Sequence, residues 1–199
     1  MLVLFVLWTS AVRSFDTAPI GPNGSEVGFS TLNQYMHNLT GVHISLYNIT
    51  DWLGLVPICF CLGFALLGLV QWISRKSISR VDSDIITLGV FYILVMAVYV
   101  FFEFVVINRR PILINGYLEA SYPSSTTMLV MCVMPTVIMQ FNKRIKRKRV
   151  KTCISLILIA FIGFMIVSRF VSGVHWFSDI VGGALISASL VSFYAGFIN

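Results

Sequence analysis

Charge is scarce in this chain, and acid scarcer still: only 11% of its 199 residues are Asp, Glu, Lys or Arg, with 14 basic side chains against 8 acidic ones. Set against 57% hydrophobic residues, so little charge excludes an ordinary soluble domain, whose core could not hide that much apolar surface. Cysteine is confined to Cys59, Cys61, Cys132 and Cys153, all inside apolar runs. A thiol there behaves as a small hydrophobe, and no further ligands stand near enough to suggest zinc. Of the few histidines, His37 and His43 lie in a polar segment without a ligand set, so neither a metal nor any other cofactor is expected. Internal repeats and low-complexity tracts are lacking too, which leaves a single membrane domain over residues 1–199.

Long apolar runs are what the chain does have. A spanning helix needs about 20 apolar residues at about 1.5 Å rise each. Trp52 to Ile73 meets that requirement without a charge, and Ile85 to Val106 meets it with only Glu103 near its end. Ser124 to Phe141 spans with Pro135 inside it, a kink that neighbouring helices tolerate in a membrane. Thr152 to Val167 is shorter but strongly apolar, and Ser178 to Ile198 carries Gly182 and Gly183, which allow close helix approach. The opening run MLVLFVLWTSAV falls short of a full span and has no basic residue before it, so a short first helix is preferred to a signal peptide. These runs predict an all-α integral membrane protein, a bundle of about six transmembrane helices. Arg13 to Asp51, the one long polar stretch, reads as an external loop with at most one short interfacial helix.

The formal charge of +6 does not point to nucleic acid once its distribution is considered. Arg75, Lys76 and Arg80 share one connecting loop, and the cluster from Lys143 to Lys151 fills another. By the positive-inside rule both loops are cytoplasmic. Arg13, Arg109, Arg110 and Arg169 fall on the opposite, depleted side, which suits a multi-pass protein of the cell membrane with an extracytoplasmic site.

Three polar clusters meet on that side. Ser168-Arg169-Phe-Val-Ser-Gly-Val-His175-Trp-Phe-Ser-Asp179 places a histidine four residues before a carboxylate. If the stretch is helical, Asp179 shares a face with His175, accepts a proton from one imidazole nitrogen and leaves the other free to attack. Tyr122-Pro123-Ser124-Ser125-Thr126-Thr127 opens a helix whose first amides lack intrahelical partners and suit an anion. Asn108-Arg109-Arg110-Pro111 offers two guanidiniums able to fork onto phosphate oxygens.

With those residues quoted, the chain resembles the type 2 phosphatidic acid phosphatase (PAP2) family of membrane phosphatases, whose pattern is KxxxxxxRP, PSGH and SRxxxxxHxxxD. Arg110 and Pro111 match the end of the first motif, Pro123 and Ser124 the start of the second, and Ser168, Arg169, His175 and Asp179 the whole of the third. The resemblance implies a lipid phosphate or diphosphate phosphatase acting through a phosphohistidine intermediate. His175 and Asp179 would be catalytic, and Arg110, Ser124, Ser125 and Arg169 would bind phosphate. The implied partners are the lipid substrate and the bilayer.

Two positions depart from the pattern. Glu103 stands where the family has lysine, and an ionisable residue near the end of a spanning helix calls for a partner, here expected in Arg109 or Arg110. Thr126 stands where the family has the histidine that protonates the leaving oxygen, and a threonine hydroxyl is far too weak an acid for that. A diphosphate, whose leaving group is already a stable anion, suffers least from the change, so diphosphates such as polyprenyl diphosphates are favoured. The alternatives are a weak or inactive relative that binds or moves an anionic lipid, and a lipid phosphotransferase.

Overall fold

The computed structural model describes residues 1–198. Its elements are α1 (Leu2–Ser14), α2 (Ser30–Thr40), α3 (Ile44–Leu53), α4 (Leu55–Arg75), α5 (Ser83–Phe104), α6 (Ser125–Arg144), α7 (Lys148–Val171) and α8 (Phe177–Ile198). No β-strand occurs among the described residues, only isolated bridges. Five helical stretches are long and apolar enough to cross a membrane: Ile44–Arg75, Ser83–Phe104, Ser125–Arg144, Lys148–Val171 and Phe177–Ile198. With the shorter apolar α1, they form the expected helical bundle.

The polar stretch from Arg13 to Asp51 departs from its expected loop character. It holds two helices, α2 and α3, and α3 runs on into α4 with only Gly54 between them. Its residues lack a clean apolar period because these helices bury polar side chains: Asn33 in α2 and Thr50 in α3 are fully buried. The Asn33 amide donates to the Ser178 hydroxyl at 2.9 Å and accepts from the Ser178 amide at 3.0 Å, pinning α2 to the start of α8.

Helix α6 is the most buried span and packs against α4, α5, α7 and α8. Helix α8 lies close against the start of α6 and against the Tyr122 ring just before it. A Cβ on Gly182 would lie 2.4 Å from the Tyr122 ring, so only glycine lets α8 approach there. The basic loops gather at one end of the bundle, where Arg144 pairs with Asp84 at 3.0 Å and Arg75 with Asp82 at 2.7 Å. The opposite end is closed by α2, α3, the connection between α5 and α6, and the turn between α7 and α8.

Candidate active site at one end of the bundle

Three connections bring the polar clusters together. The first, between α5 and α6, folds back on itself: Arg110 N–H donates to Glu119 O at 3.1 Å and Ser121 N–H to Asn108 O at 3.0 Å. Asn115 and Gly116, both with positive φ, form its tip, as an Asn-Gly pair does in tight hairpins. The second is the turn that ends α7, where Gly173 has φ +68° and no room for a Cβ, which would lie 1.9 Å from Gly41 O. The third is the start of α6, capped by Ser124.

His175 sits in the α7–α8 turn, ahead of α8, and is almost fully buried. The expected hydrogen bond to Asp179 along a helix face is therefore not formed, although the two side chains remain neighbours. Nδ1 lies 3.9 Å from Asp179 Oδ2, too long for a hydrogen bond, and 3.2 Å from the carbonyl oxygen of Ser121. A carbonyl can only accept, so Nδ1 carries the proton and Nε2 keeps its lone pair. Asp179 caps the helix instead, accepting from Trp176 N–H at 2.9 Å through Oδ2 and from the Asn108 amide at 3.1 Å through Oδ1. Its charge still reaches the imidazole.

Nε2 faces Arg110, whose Nη1 is 3.4 Å away. Burial above all pushes the His175 pKa down from 6.5 to about 4, with Arg110 and Arg169 adding to the effect and Asp179 opposing it. The imidazole is neutral at neutral pH.

A cavity of about 420 Å³ lies against this histidine, lined by Glu103, Arg109, Arg110, Glu119, Ser121 and Ser125 among others. It brings together five of the nine expected site residues: His175, Arg109, Arg110, Ser125 and Glu103. Glu103 does not pair with either arginine. Arg110 turns to Glu119, Nε to Oε2 at 2.9 Å, an ion pair in which the N–H is not aimed at the oxygen. Arg109 Nη1 donates to Leu118 O at 3.2 Å. The hairpin between α5 and α6 decides this, because it delivers Glu119 directly across from Arg110.

Other expected site residues lie behind or beside the cavity. Ser124 is fully buried, its N–H given to Asp179 O at 3.0 Å and its hydroxyl accepting from Thr127 at 3.0 Å, so it has no free amide for an anion. The amides of Ser125, Thr126 and Thr127 precede the first intrahelical bond of α6, from Met128 N–H to Ser124 O, and are the ones left for an anion. Arg169 is drawn toward α3: it donates to Thr50 Oγ1 and to Asp51 Oδ1, each at 3.3 Å, and to Thr126 Oγ1. Its guanidinium lies 4.8 Å from the centre of the Tyr47 ring, and that of Arg110 lies 5.8 Å from the same ring.

Asp51, Tyr47, Ser121 and Glu119 were not legible as site residues from sequence. For Glu119, Asn115-Gly116 is the available signal, since such a pair predicts a hairpin and hence a partner for Arg110. Asp51 carries no local signal, standing 118 residues from the arginine that it meets.

A second cavity, about 510 Å³ and mainly apolar, runs between α4, α5 and α6 past Leu55, Ile58, Val95, Leu129 and Val133. Tyr99, Ser125 and Met128 line both cavities, so the polar pocket and the apolar groove lie side by side with these residues between them. Among the described residues no group of three or more His, Cys, Asp or Glu side chains comes together as a metal site would require.

Comparison with known proteins settles the relationship that the motifs suggest. The model of the PAP2 superfamily matches residues 86–199, more than half of the chain. The chain belongs to the PAP2 superfamily. A search of curated protein sequences gave no match. Among solved structures, the fold is similar to a crystal structure described as the first transmembrane PAP2 type phosphatidylglycerolphosphate phosphatase from Bacillus subtilis. The TM-score is 0.64 at 17% identity, covering 98% of this chain and 92% of that one. The PAP2 match takes in α6, α7, α8 and nearly all of α5, and so every cavity-lining residue named around His175. With its five spans, this PAP2 chain is a multi-pass integral membrane protein.

Proposed function

We propose that this chain is a membrane-bound lipid phosphate or diphosphate phosphatase, a single domain with its site on the extracytoplasmic side of the cell membrane, working through a phosphohistidine at His175. The observation that carries the reading is the adjacency of two cavities that share lining residues: a polar one holding His175 and two arginines, and an apolar one between spanning helices. A substrate with a phosphate head and a hydrocarbon tail needs that pair of compartments. The PAP2 family and the lipid phosphate named for the similar structure support the same substrate class.

In this mechanism Nε2 of His175 attacks phosphorus as the bond to the leaving oxygen breaks. Arg110 turns from Nε2 onto the phosphoryl oxygens, joined by the free amides at the start of α6. The positive imidazole of the phosphohistidine is stabilised by the Asp179 carboxylate and by the Ser121 carbonyl, which holds the Nδ1 proton. Water then attacks phosphorus, the N–P bond breaks, and inorganic phosphate leaves with the imidazole restored. Thr126 cannot protonate an alkoxide, so a diphosphate is the better substrate. Phosphate release from phosphatidate, phosphatidylglycerol phosphate, a sphingoid phosphate and a polyprenyl diphosphate, with and without an added lipid acceptor, tests the reading and separates hydrolysis from phosphotransfer. No release from any of them would overturn it.

Two further results are expected. Protonation removes the lone pair on Nε2, so kcat/KM should fall on the acid side around the His175 pKa of about 4, not 6.5. A phosphate ester itself titrates at about 6, so the profile is first corrected for the ionisation of the substrate. A limb near 6.5 that survives the correction would show that the nucleophile is not buried as described. Leu129→Trp should fill the apolar groove. Excluding three methylenes costs about 2.4 kcal/mol at about 0.8 each, so a long-chain substrate should lose about 50-fold more in kcat/KM than butyl phosphate does. Equal losses on both would mean that the tail lies elsewhere.

A further inference from the structure

In the phosphohistidine mechanism Asp179 has to hold a negative charge at a fixed place beside the imidazole. Its carboxylate is fully buried, and among the described residues its only ion-pair neighbour is His175, at 3.9 Å. A buried carboxylate without a cation depends on hydrogen-bond donors to stay where it is. It has two: Trp176 N–H on Oδ2 and the side-chain amide of Asn108 on Oδ1. The first comes from the backbone of the same turn, so Asn108 is the side chain that grips the acid from another segment.

Asn108 is itself firmly held. It is 1% exposed and lines neither cavity. Its Oδ1 accepts from Gly28 N–H at 3.4 Å, which turns Nδ2 toward Asp179 Oδ1 at 3.1 Å and the Ser178 hydroxyl at 3.2 Å. A Cβ on Gly28 would lie 1.6 Å from Val12 O, so only glycine fits at the point where the backbone meets Asn108. Gly28 lies outside residues 86–199, so a part of the chain that the PAP2 model does not match helps to set the site. The Asn108 backbone acts on the other neighbour of Nδ1: its carbonyl accepts from Ser121 N–H at 3.0 Å, and the Ser121 carbonyl takes the His175 proton. One residue thus fixes both acceptors that flank Nδ1.

We propose that Asn108 is a positioning residue for phosphoryl transfer, its side-chain amide locking the Asp179 carboxylate where it stabilises the imidazolium formed as Nε2 bonds to phosphorus. This rests on the phosphohistidine reading and extends it to a residue that never meets the substrate. Without Nδ2, Oδ1 has no donor among the described residues, and the carboxylate turns to find one, taking its charge out of line with the ring. The loss falls on the transition state and not on binding, because the amide stands outside the cavity, so kcat drops while KM holds.

The test follows the rate at which His175 takes up phosphate, as acid-labile label per folded protein, from a labelled lipid substrate and separately from phosphoramidate. With phosphoramidate the N–P bond to ammonia breaks as the bond to Nε2 forms, so labelling needs no lipid. Asn108→Ala should slow both by about 10- to 100-fold, the worth of a hydrogen bond to a charged group, with KM for the lipid within about twofold of wild type. Asn108→Asp, nearly the same shape, sets a carboxylate against Asp179 in place of the donor and should lose at least as much. In an Asp179→Asn background, Asn108→Ala should add less than about threefold, because the two act through one carboxylate. Gln140→Ala supplies the comparison for stability alone: it removes another fully buried amide, the one that donates to the Tyr194 hydroxyl at the basic end of the bundle, and should lower the melting temperature without slowing the labelling. Unchanged labelling in Asn108→Ala, its full effect persisting in the Asp179→Asn background, or equal slowing in Gln140→Ala would overturn the positioning role. Labelling by phosphoramidate with no phosphate released from any lipid would overturn the phosphatase reading alone, and the same ratios would still decide the part played by Asn108. No label on wild type from either donor would end both.

Discussion

Replacing His175 with alanine is expected to lower phosphate release by about 10³-fold or more, the scale seen when a covalent nucleophile is removed while the surrounding donors remain. The expectation follows from geometry rather than from motif alone. Nδ1 is committed to the Ser121 carbonyl, which leaves Nε2 as the free lone pair facing both Arg110 and the polar cavity. No other histidine lines that cavity. The decisive measurement pairs steady-state release with trapping: a substrate labelled on the transferred phosphate should leave an acid-labile label on wild type and none on His175→Ala. A variant that releases phosphate at the wild-type rate would end the phosphohistidine mechanism. Asp179→Asn offers a graded companion, because the residue stabilises charge on the imidazole and also caps α8, so both rate and thermal stability should fall.

The second large effect is a gain. Thr126→His should raise kcat/KM on phosphate monoesters by about 10² to 10⁴, the usual worth of general acid catalysis, while changing diphosphates far less. The structure supplies the reason to expect a proton donor at 126 to reach its target. Thr126 lines the apolar groove, and neighbouring Ser125 lines both cavities, so position 126 stands where the tail joins the head. The leaving oxygen is the atom that links those two parts of the substrate. A histidine there would also replace the hydroxyl that accepts from Arg169, and Asp51 and Thr50 would keep that guanidinium in place. Assaying a monoester and a diphosphate of the same chain length on wild type and Thr126→His gives the selectivity directly. Equal gains, or none, would sink the leaving-group argument for diphosphates.

Arg169 shows how far a motif residue can be redirected by its surroundings. The motif places it with the phosphate binders, yet its side chain is held by Tyr47, Thr50, Asp51 and Thr126. Asp51 is well exposed, so this ion pair contributes little by Coulomb attraction alone. Its effect is to fix the end of α3 against α6 and α7, beside the mouth of the apolar groove.

What the sequence by itself determined is the part that depends on neighbours along the chain. Apolar run length marked the spanning helices to within a few residues, as with Phe177–Ile198 against the expected Ser178 to Ile198, because crossing a bilayer requires an unbroken stretch with its backbone satisfied internally. The third motif likewise placed His175 and Asp179 close together, since few residues separate them. Only the tertiary structure decided which groups those residues meet. The turn before α8 gave the His175 proton to Ser121 rather than to Asp179, the Asn115-Gly116 hairpin set Glu119 against Arg110, and packing of α3 brought Asp51 to Arg169. Those partners are chosen by the three-dimensional meeting of segments that share no local pattern, and they set the charge of the cavity.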